Sequence, residues 1–347
     1  ANDWQTASIP LLLKSQFTES DFYSGIKTVM TIHNLRFQGV WDSKAVTDVL
    51  GLDNSYYTPD KLEFRGAVNL LKGGLAYADL ITTVSPTYAQ EIKTKEYGEG
   101  LEGLLSARSE ELIGILNGIS YEEYSPNTDE LIYKKYNRRD FISGKRYNKC
   151  ELQKELGLMC DDDVMVIGIV SRLTDQKGFD LIESIMQELM GMQIQIAVLG
   201  TGEECYEKMF GYYAKAYPNI VSANLKFDNA LAHKIYAGSD VFLMPSAFEP
   251  CGLSQLISMR YGTLPIGRET GGLKDSIIPY NQYTGEGTGF TFTPYNSFDL
   301  LNVIKYARSV FNDKKVWNKL IRQAMAQDFS WNSSAKRYME ICDRILS

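Results

Sequence analysis

The chain of 347 residues is 44% hydrophobic and 23% charged, enough apolar material for two sizeable cores and longer than one core usually organises. Its 36 basic and 43 acidic side chains leave a net charge of −7, which argues against a general nucleic-acid or anionic-membrane surface, so any bound anion must be held by locally placed cations. No apolar run approaches the ~20 residues that span a bilayer, and five cysteines without a C-x-x-C pair, beside only two histidines, point to a reduced, cytosolic setting rather than to a disulfide framework or a metal cluster.

The start, Ala1-Asn2-Asp3-Trp4, has neither Met nor a signal-peptide pattern and reads as an incomplete beginning. From there, short apolar, β-branched runs alternate with segments of helical period, the pattern of β/α units around parallel sheets. In the first half the runs are Thr28–Ile32 into His33-Asn34, Leu80–Val84 into Ser85-Pro86, and Leu112–Leu116 into Asn117-Gly118. A polar stretch from Ser125 to Asp163, with a short helical pattern around Glu151–Leu156, reads as an inter-domain passage. Beyond it the grammar repeats: Val164–Val170 into Ser171-Arg172, Ile194–Leu199 into Gly200-Thr201-Gly202, Val241–Met244 into Pro245-Ser246, and Leu264–Ile266 into Gly267-Arg268. Trp331–Leu346 has the spacing of a terminal helix. The expected domains are 1–124, 125–330 and a closing helix over 331–347 that packs back toward the first.

In open parallel sheets ligands bind beyond the carboxyl ends of the strands, so the polar residues that end these runs are the candidates for chemistry. Arg172 and Lys177, in Ser171–Gly178, can converge on one anion, and a guanidinium fork with a point-charge ammonium suits a departing diphosphate. Glu249 precedes a loop, Pro250–Leu253, that opens a helix ending near Tyr261, where free N–H groups and a carboxylate suit sugar hydroxyls. Thr270-Gly271-Gly272 repeats the design, its glycines letting backbone approach a ligand closely. The run Asp161-Asp162-Asp163 lies before a strand, not after one, and reads as a solvated turn rather than a cation site. His233, within a helical segment, reads as structural.

Taken with the phrases ANDWQTA at 1–7, TIHNLRFQG at 31–39, ADLITTVSPTYAQEI at 78–92, VSRLTDQKG at 170–178, FEPCGLSQL at 248–256, RETGGLKD at 268–275 and DFSW at 328–331, these motifs make nearly the whole chain resemble the glycogen/starch synthase family. The resemblance implies an α/β fold of two Rossmann-like domains with an inter-domain cleft (GT-B), the first incomplete at its start. It also implies retaining transfer of glucose from ADP-glucose to the 4-hydroxyl at the non-reducing end of an α-1,4-glucan. By the same resemblance Arg172 and Lys177 grip the donor diphosphate, and Glu249 orders the glucosyl ring. Cys251, Gly252, Leu253 and Ser254 belong to the donor site with Gly200, Gly202, Thr270, Gly271 and Gly272. His33 and Asn117 reach the region of the sugar's 6-hydroxyl, and Asp3 lies on the acceptor side.

The family's K-x-G-G-L segment is absent, and Ser120 stands where aspartate is usual. With two cations for the diphosphate the expected activity needs neither metal nor cofactor. The expected location is cytoplasmic in a bacterium or plastidial in a plant or alga, and the oligomeric state is open. The alternatives are a noncatalytic glucan- or nucleotide-binding module, or another two-domain glucosyltransferase, such as one using UDP-glucose or a phosphorylase with a lysine-bound pyridoxal group.

Overall fold

A computed structural model describes residues 1–346. They divide into two compact units, one of residues 1–117 with the segment from Ser334 on, the other Gly118–Ser333. The first cut falls after Asn117, where the sequence reading placed it after 124, because Ile119 already pairs with Ser330 and Tyr121 accepts the Phe329 N–H at 2.8 Å.

The first unit is built on a parallel sheet of β1 (Val29–Ile32), β2 (Leu80–Thr83) and β3 (Leu112–Gly114), in that order. β1 and β2 are largely buried, and Thr31 and Thr82, two of the three threonines inside the sheet, satisfy each other through a 2.8 Å hydroxyl hydrogen bond, while Thr83 Oγ1 donates to Ile32 O. A small antiparallel sheet of 40–41, 63–64 and 67–69 was not expected from the sequence, its strands being only two or three residues long. Leu11 of α1 (Ser8–Ser15) and Leu70 of α2 (Leu70–Tyr77) join Val46, Leu50, Leu52, Leu62 and Val68 in one core. Past Ser334 the closing helix, Trp331–Leu346, buries Ile341 against Leu80 and Ile115, and Ser334 Oγ donates to Leu116 O at 2.7 Å.

The second unit holds six parallel strands, β4 (Met165–Val170), β5 (Ile194–Leu199), β6 (Val221–Asn224), β7 (Val241–Met244), β8 (Leu264–Arg268) and β9 (Phe290–Phe292). They are ordered β9-β8-β7-β4-β5-β6, the doubly wound arrangement in which the chain reverses direction across the sheet between β4 and β7. The central strands are buried throughout, which is why they read as continuous apolar runs.

The passage 125–163 differs from expectation: in place of a short helical turn it carries α3, Phe141–Glu155. The buried face of α3 mixes Phe141 and Leu152 with four polar side chains, Lys145, Asn148, Lys149 and Gln153, so no continuous apolar stripe announces it. Asn148 takes N–H groups from Tyr133 and Lys134, and Lys149 pairs with Asp240 at 2.7 Å. Lys145 Nζ, fully buried, donates to Ala237 O, Tyr261 O and Thr263 Oγ1, and burial pushes it down to about 7.

Candidate active site

The strand ends of the second unit bring the expected residues to one edge of the sheet, at the reversal between β4 and β7. After β4, Ser171–Thr174 leads through a tight turn to α4 (Phe179–Met190), with Lys177 in the turn. After β7, Pro245–Leu253 leads to α5 (Ser254–Arg260), with Glu249 in that loop. Lys177 Nζ meets Glu249 Oε2 at 2.6 Å, with side chains 19% and 7% exposed. Ser246 Oγ donates to the same oxygen at 3.0 Å, which leaves Oε1 to accept from a ligand.

Two pockets flank the strand end at Val170–Ser171. One, of ≈60 Å³, is lined by Lys177, Ser246 and Glu249 together with Gly252, Leu253 and Ser254, the residues that open α5. The other, of ≈300 Å³, is walled by Val170, Leu199, Tyr124 and Tyr236, with Arg172 and the 94% exposed Phe227 on it. The two cations therefore do not share one pocket, as the sequence reading allowed: Lys177 sits in the smaller with its carboxylate partner, Arg172 on the larger. Tyr236 joins the two by donating its hydroxyl to Ser254 Oγ at 3.1 Å.

The tyrosine walls are held from behind. Tyr124 stacks on the buried His233 ring, centroids 5.0 Å apart, and His233 Nδ1 lies 2.7 Å from Asp129 Oδ2, which also accepts the Tyr261 hydroxyl. Burial opposes ionisation of Asp129, but the hydrogen bonds from His233 and Tyr261 outweigh it and hold the carboxyl below its usual range.

The glycines of the expected donor site serve the loops themselves. A Cβ on Gly271 would lie 2.0 Å from Glu249 O, one on Gly272 1.9 Å from Cys251 O, one on Gly200 1.8 Å from Ser171 O, and one on Gly202 2.1 Å from Leu173 O. At all four positions backbone closely approaches backbone. The N–H groups are engaged likewise: Gly272 donates to Glu249 O, Gly200 to Asn224 O, and Gly202 to Glu207 Oε1. Thr270 and Gly271 open the helical turn Gly271–Ser276, and Cys251, in the loop that carries Glu249, is buried.

In the first unit, Asp3 and His33 come together: Asp3 Oδ1 accepts the His33 backbone N–H at 2.8 Å, and His33 Nε2 lies 2.9 Å from Asn2 Oδ1. Asp3 takes a left-handed φ of 50°, a conformation that costs a non-glycine residue about 1–2 kcal/mol. Asn117 follows β3 on the sheet edge that His33 follows from β1. Of the acidic run, Asp162 pairs with Arg146, and Asp161 Oδ1 accepts the Asp163 N–H at 2.8 Å. Among the described residues no group of three His, Cys, Asp or Glu side chains is placed to hold a metal ion, and no helix is long and apolar enough to cross a membrane.

Phe227, Tyr124 and Tyr236 were not picked out by sequence reasoning, and Ser246 only as one of the polar residues that follow a strand. A solvent-facing phenylalanine in the turn before the Asp228 cap has no periodicity to mark it.

Residues 1–107 match the family described as "Starch synthase catalytic domain", and residues 158–326 match "Glycosyl transferases group 1". The chain is 56% identical over 341 residues to a glycogen synthase of Lachnospira eligens, covering 98% of this chain and 71% of that protein. It is 54% identical over 345 residues to a glycogen synthase of Lachnoclostridium phytofermentans, covering 99% and 72%. Among solved structures, the catalytic domain of starch synthase IV from Arabidopsis thaliana, bound to ADP and acarbose, superimposes with a TM-score of 0.92 at 36% identity, over 99% of this chain and 72% of that one. A sucrose-phosphate synthase from Thermosynechococcus elongatus shares the fold, with a TM-score of 0.62 at 18% identity over 99% of this chain and 72% of that one.

Proposed function

The chain belongs to the glycogen synthase family of glycosyltransferases, and from that premise we propose that it transfers α-D-glucosyl from ADP-glucose to the 4-hydroxyl at the non-reducing end of an α-1,4-glucan, with retention. The observation that carries this reading is the Lys177–Glu249 pair at the sheet's reversal point, lining the smaller of the two pockets that flank the β4 end.

On this reading the nucleobase enters the larger pocket and stacks on Phe227, and the diphosphate crosses the β4 end at Ser171-Arg172. The glucosyl group faces the smaller pocket, where Glu249 Oε1 accepts from its hydroxyls and the first-turn N–H groups of α5, which have no acceptor within their helix, face oxygen. As the C1–O bond to the diphosphate breaks, its electron pair stays on the phosphate oxygen, and Arg172 and Lys177 offset the charge that builds there. The acceptor 4-oxygen bonds to C1 from the same face and its proton passes to the leaving phosphate. Lys177 keeps one N–H on Glu249 and has two more to offer, so the pair aligns the cation as well as neutralising the carboxylate. Asp3, His33 and Asn117 serve the acceptor side and the 6-hydroxyl in this scheme. Two cations on the diphosphate make a metal unnecessary for that task. Bacterial relatives favour a bacterial cytoplasm as the place of action.

The test is incorporation of labelled glucose into glucan from a panel of nucleotide-glucose donors, using this chain and a version extended to the relatives' length. ADP-glucose should serve at least tenfold better than UDP-glucose. A preference for UDP-glucose would overturn the donor assignment, and glucan binding without incorporation by either version would favour a noncatalytic module.

A further inference from the structure

A cavity of ≈670 Å³ in the second unit shares no lining residue with the Lys177–Glu249 pocket and has no part in the transfer scheme. It is lined by three arginines, Arg138, Arg139 and Arg260, and by one acid, Asp328, whose Oδ1 already accepts the Ser330 N–H at 3.0 Å. Among the described residues none of the three guanidinium groups has a carboxylate within ion-pair distance, although acids outnumber bases in the chain and the net charge is −7.

Arg260 is set in place. Its guanidinium lies over the Tyr121 ring at 4.0 Å, one terminal nitrogen reaches Ser125 Oγ at 3.4 Å, and its Nε is buried with no hydrogen-bond partner. A buried donor without an acceptor costs free energy that a ligand oxygen would recover. Tyr121 is fixed in turn by the Phe329 N–H, so Arg260 rests on a rigid wall.

We propose that this cavity is a second anion site that binds a phosphorylated sugar-sized molecule. A phosphate monoester carries about two negative charges and three terminal oxygens, which suits several guanidinium forks as a single carboxylate would not. The volume lies within the range of small-molecule sites, about 300–1,000 Å³, and is more than a bare phosphate fills. The rest of the lining includes the amides of Asn127, Asn137 and Gln327, partners for hydroxyl groups. The face of Tyr121 that could stack on an uncharged sugar ring is covered by Arg260, which favours the phosphorylated ligand over a neutral glucan.

Calorimetric titration of the protein with ribose 5-phosphate, ribose, inorganic phosphate and maltotriose tests this, with ADP present in saturating amount to occupy the donor site. Ribose 5-phosphate should bind one-to-one and at least tenfold more tightly than ribose or inorganic phosphate. The double variant Arg138→Gln/Arg139→Gln, both positions being exposed, should weaken that binding at least tenfold while leaving ADP affinity and the thermal midpoint unchanged. Three results would overturn the proposal: ribose 5-phosphate no tighter than ribose, full affinity in the double variant, or maltotriose binding that the double variant abolishes. Inorganic phosphate binding as tightly as ribose 5-phosphate would overturn its sugar-bearing part. If ADP itself does not bind, the same titrations without it still report on the arginine cavity, so failure of the donor-site reading is distinguishable.

Discussion

Replacing Lys177 by methionine keeps the aliphatic stem and removes the charge, leaving Glu249 ionised, nearly buried and paired only with a hydroxyl. Breaking one side of a buried ion pair costs about 3–5 kcal/mol. For a unit of this size each kcal/mol lowers the thermal midpoint by about 2–4 °C, so a fall of about 6–20 °C is expected by calorimetry. Loss of one positive group facing the departing diphosphate should separately lower kcat by about 10²–10³. The two effects are separable by adding Glu249→Gln. The double variant holds no unpaired buried charge and should regain most of the midpoint, while kcat stays as low as in the single variant or lower. Single-variant kcat within a factor of three of wild type would refute the role in transfer. Recovery of kcat in the double variant would show that Lys177 acts only by holding the fold, and an unchanged midpoint in Lys177→Met would refute the buried-pair argument itself.

Four further outcomes follow from other parts of the molecule. Phe227→Ala, at an exposed position, should leave stability within about 0.5 kcal/mol but weaken ADP binding by about 1–3 kcal/mol, the worth of stacking a base on an aromatic ring; equal ADP affinity in a titration would remove Phe227 from the nucleobase pocket. Gly271→Ala puts a Cβ 2.0 Å from Glu249 O at a φ of 43°, and should destabilise by at least about 2 kcal/mol and depress transfer by displacing Glu249; an unchanged denaturation midpoint would contradict the packing described. Lys145 is pushed down to about 7 by burial, so between that value and its unfolded value near 10 the unfolded chain binds the extra proton. Stability from this group therefore rises with pH across that window and is level below it, and Lys145→Met should flatten the rise in a pH series of chemical denaturation. Transfer activity should survive EDTA; complete loss restored by Mg²⁺ would show that the two cations do not suffice.

The strands that carry Arg172, Glu249 and Asn117 were legible because strands buried on both faces must be apolar along their whole length, so each ends where a polar residue begins. The closing helix, Trp331–Leu346, was legible from its spacing. Helix α3 was not, since most of the side chains on its covered face are lysine, asparagine and glutamine, whose partners Asp240, Gln195 and the backbone of 134 and 237 are scattered along the chain. Phe227 escaped notice because an exposed aromatic acquires meaning only from the pocket beside it.

By itself the sequence determined the β/α alternation, the edge on which the polar residues gather, and the kinship that its motifs carry, all of which depend on neighbours close in the chain. Only the tertiary structure decided which groups meet. Lys177 and Glu249 stand 72 residues apart and touch because the sheet reverses between β4 and β7. Gly200, Gly202, Gly271 and Gly272 are glycines because loops from different strands press backbone against backbone, a steric demand made by residues distant in sequence and therefore invisible in any local window.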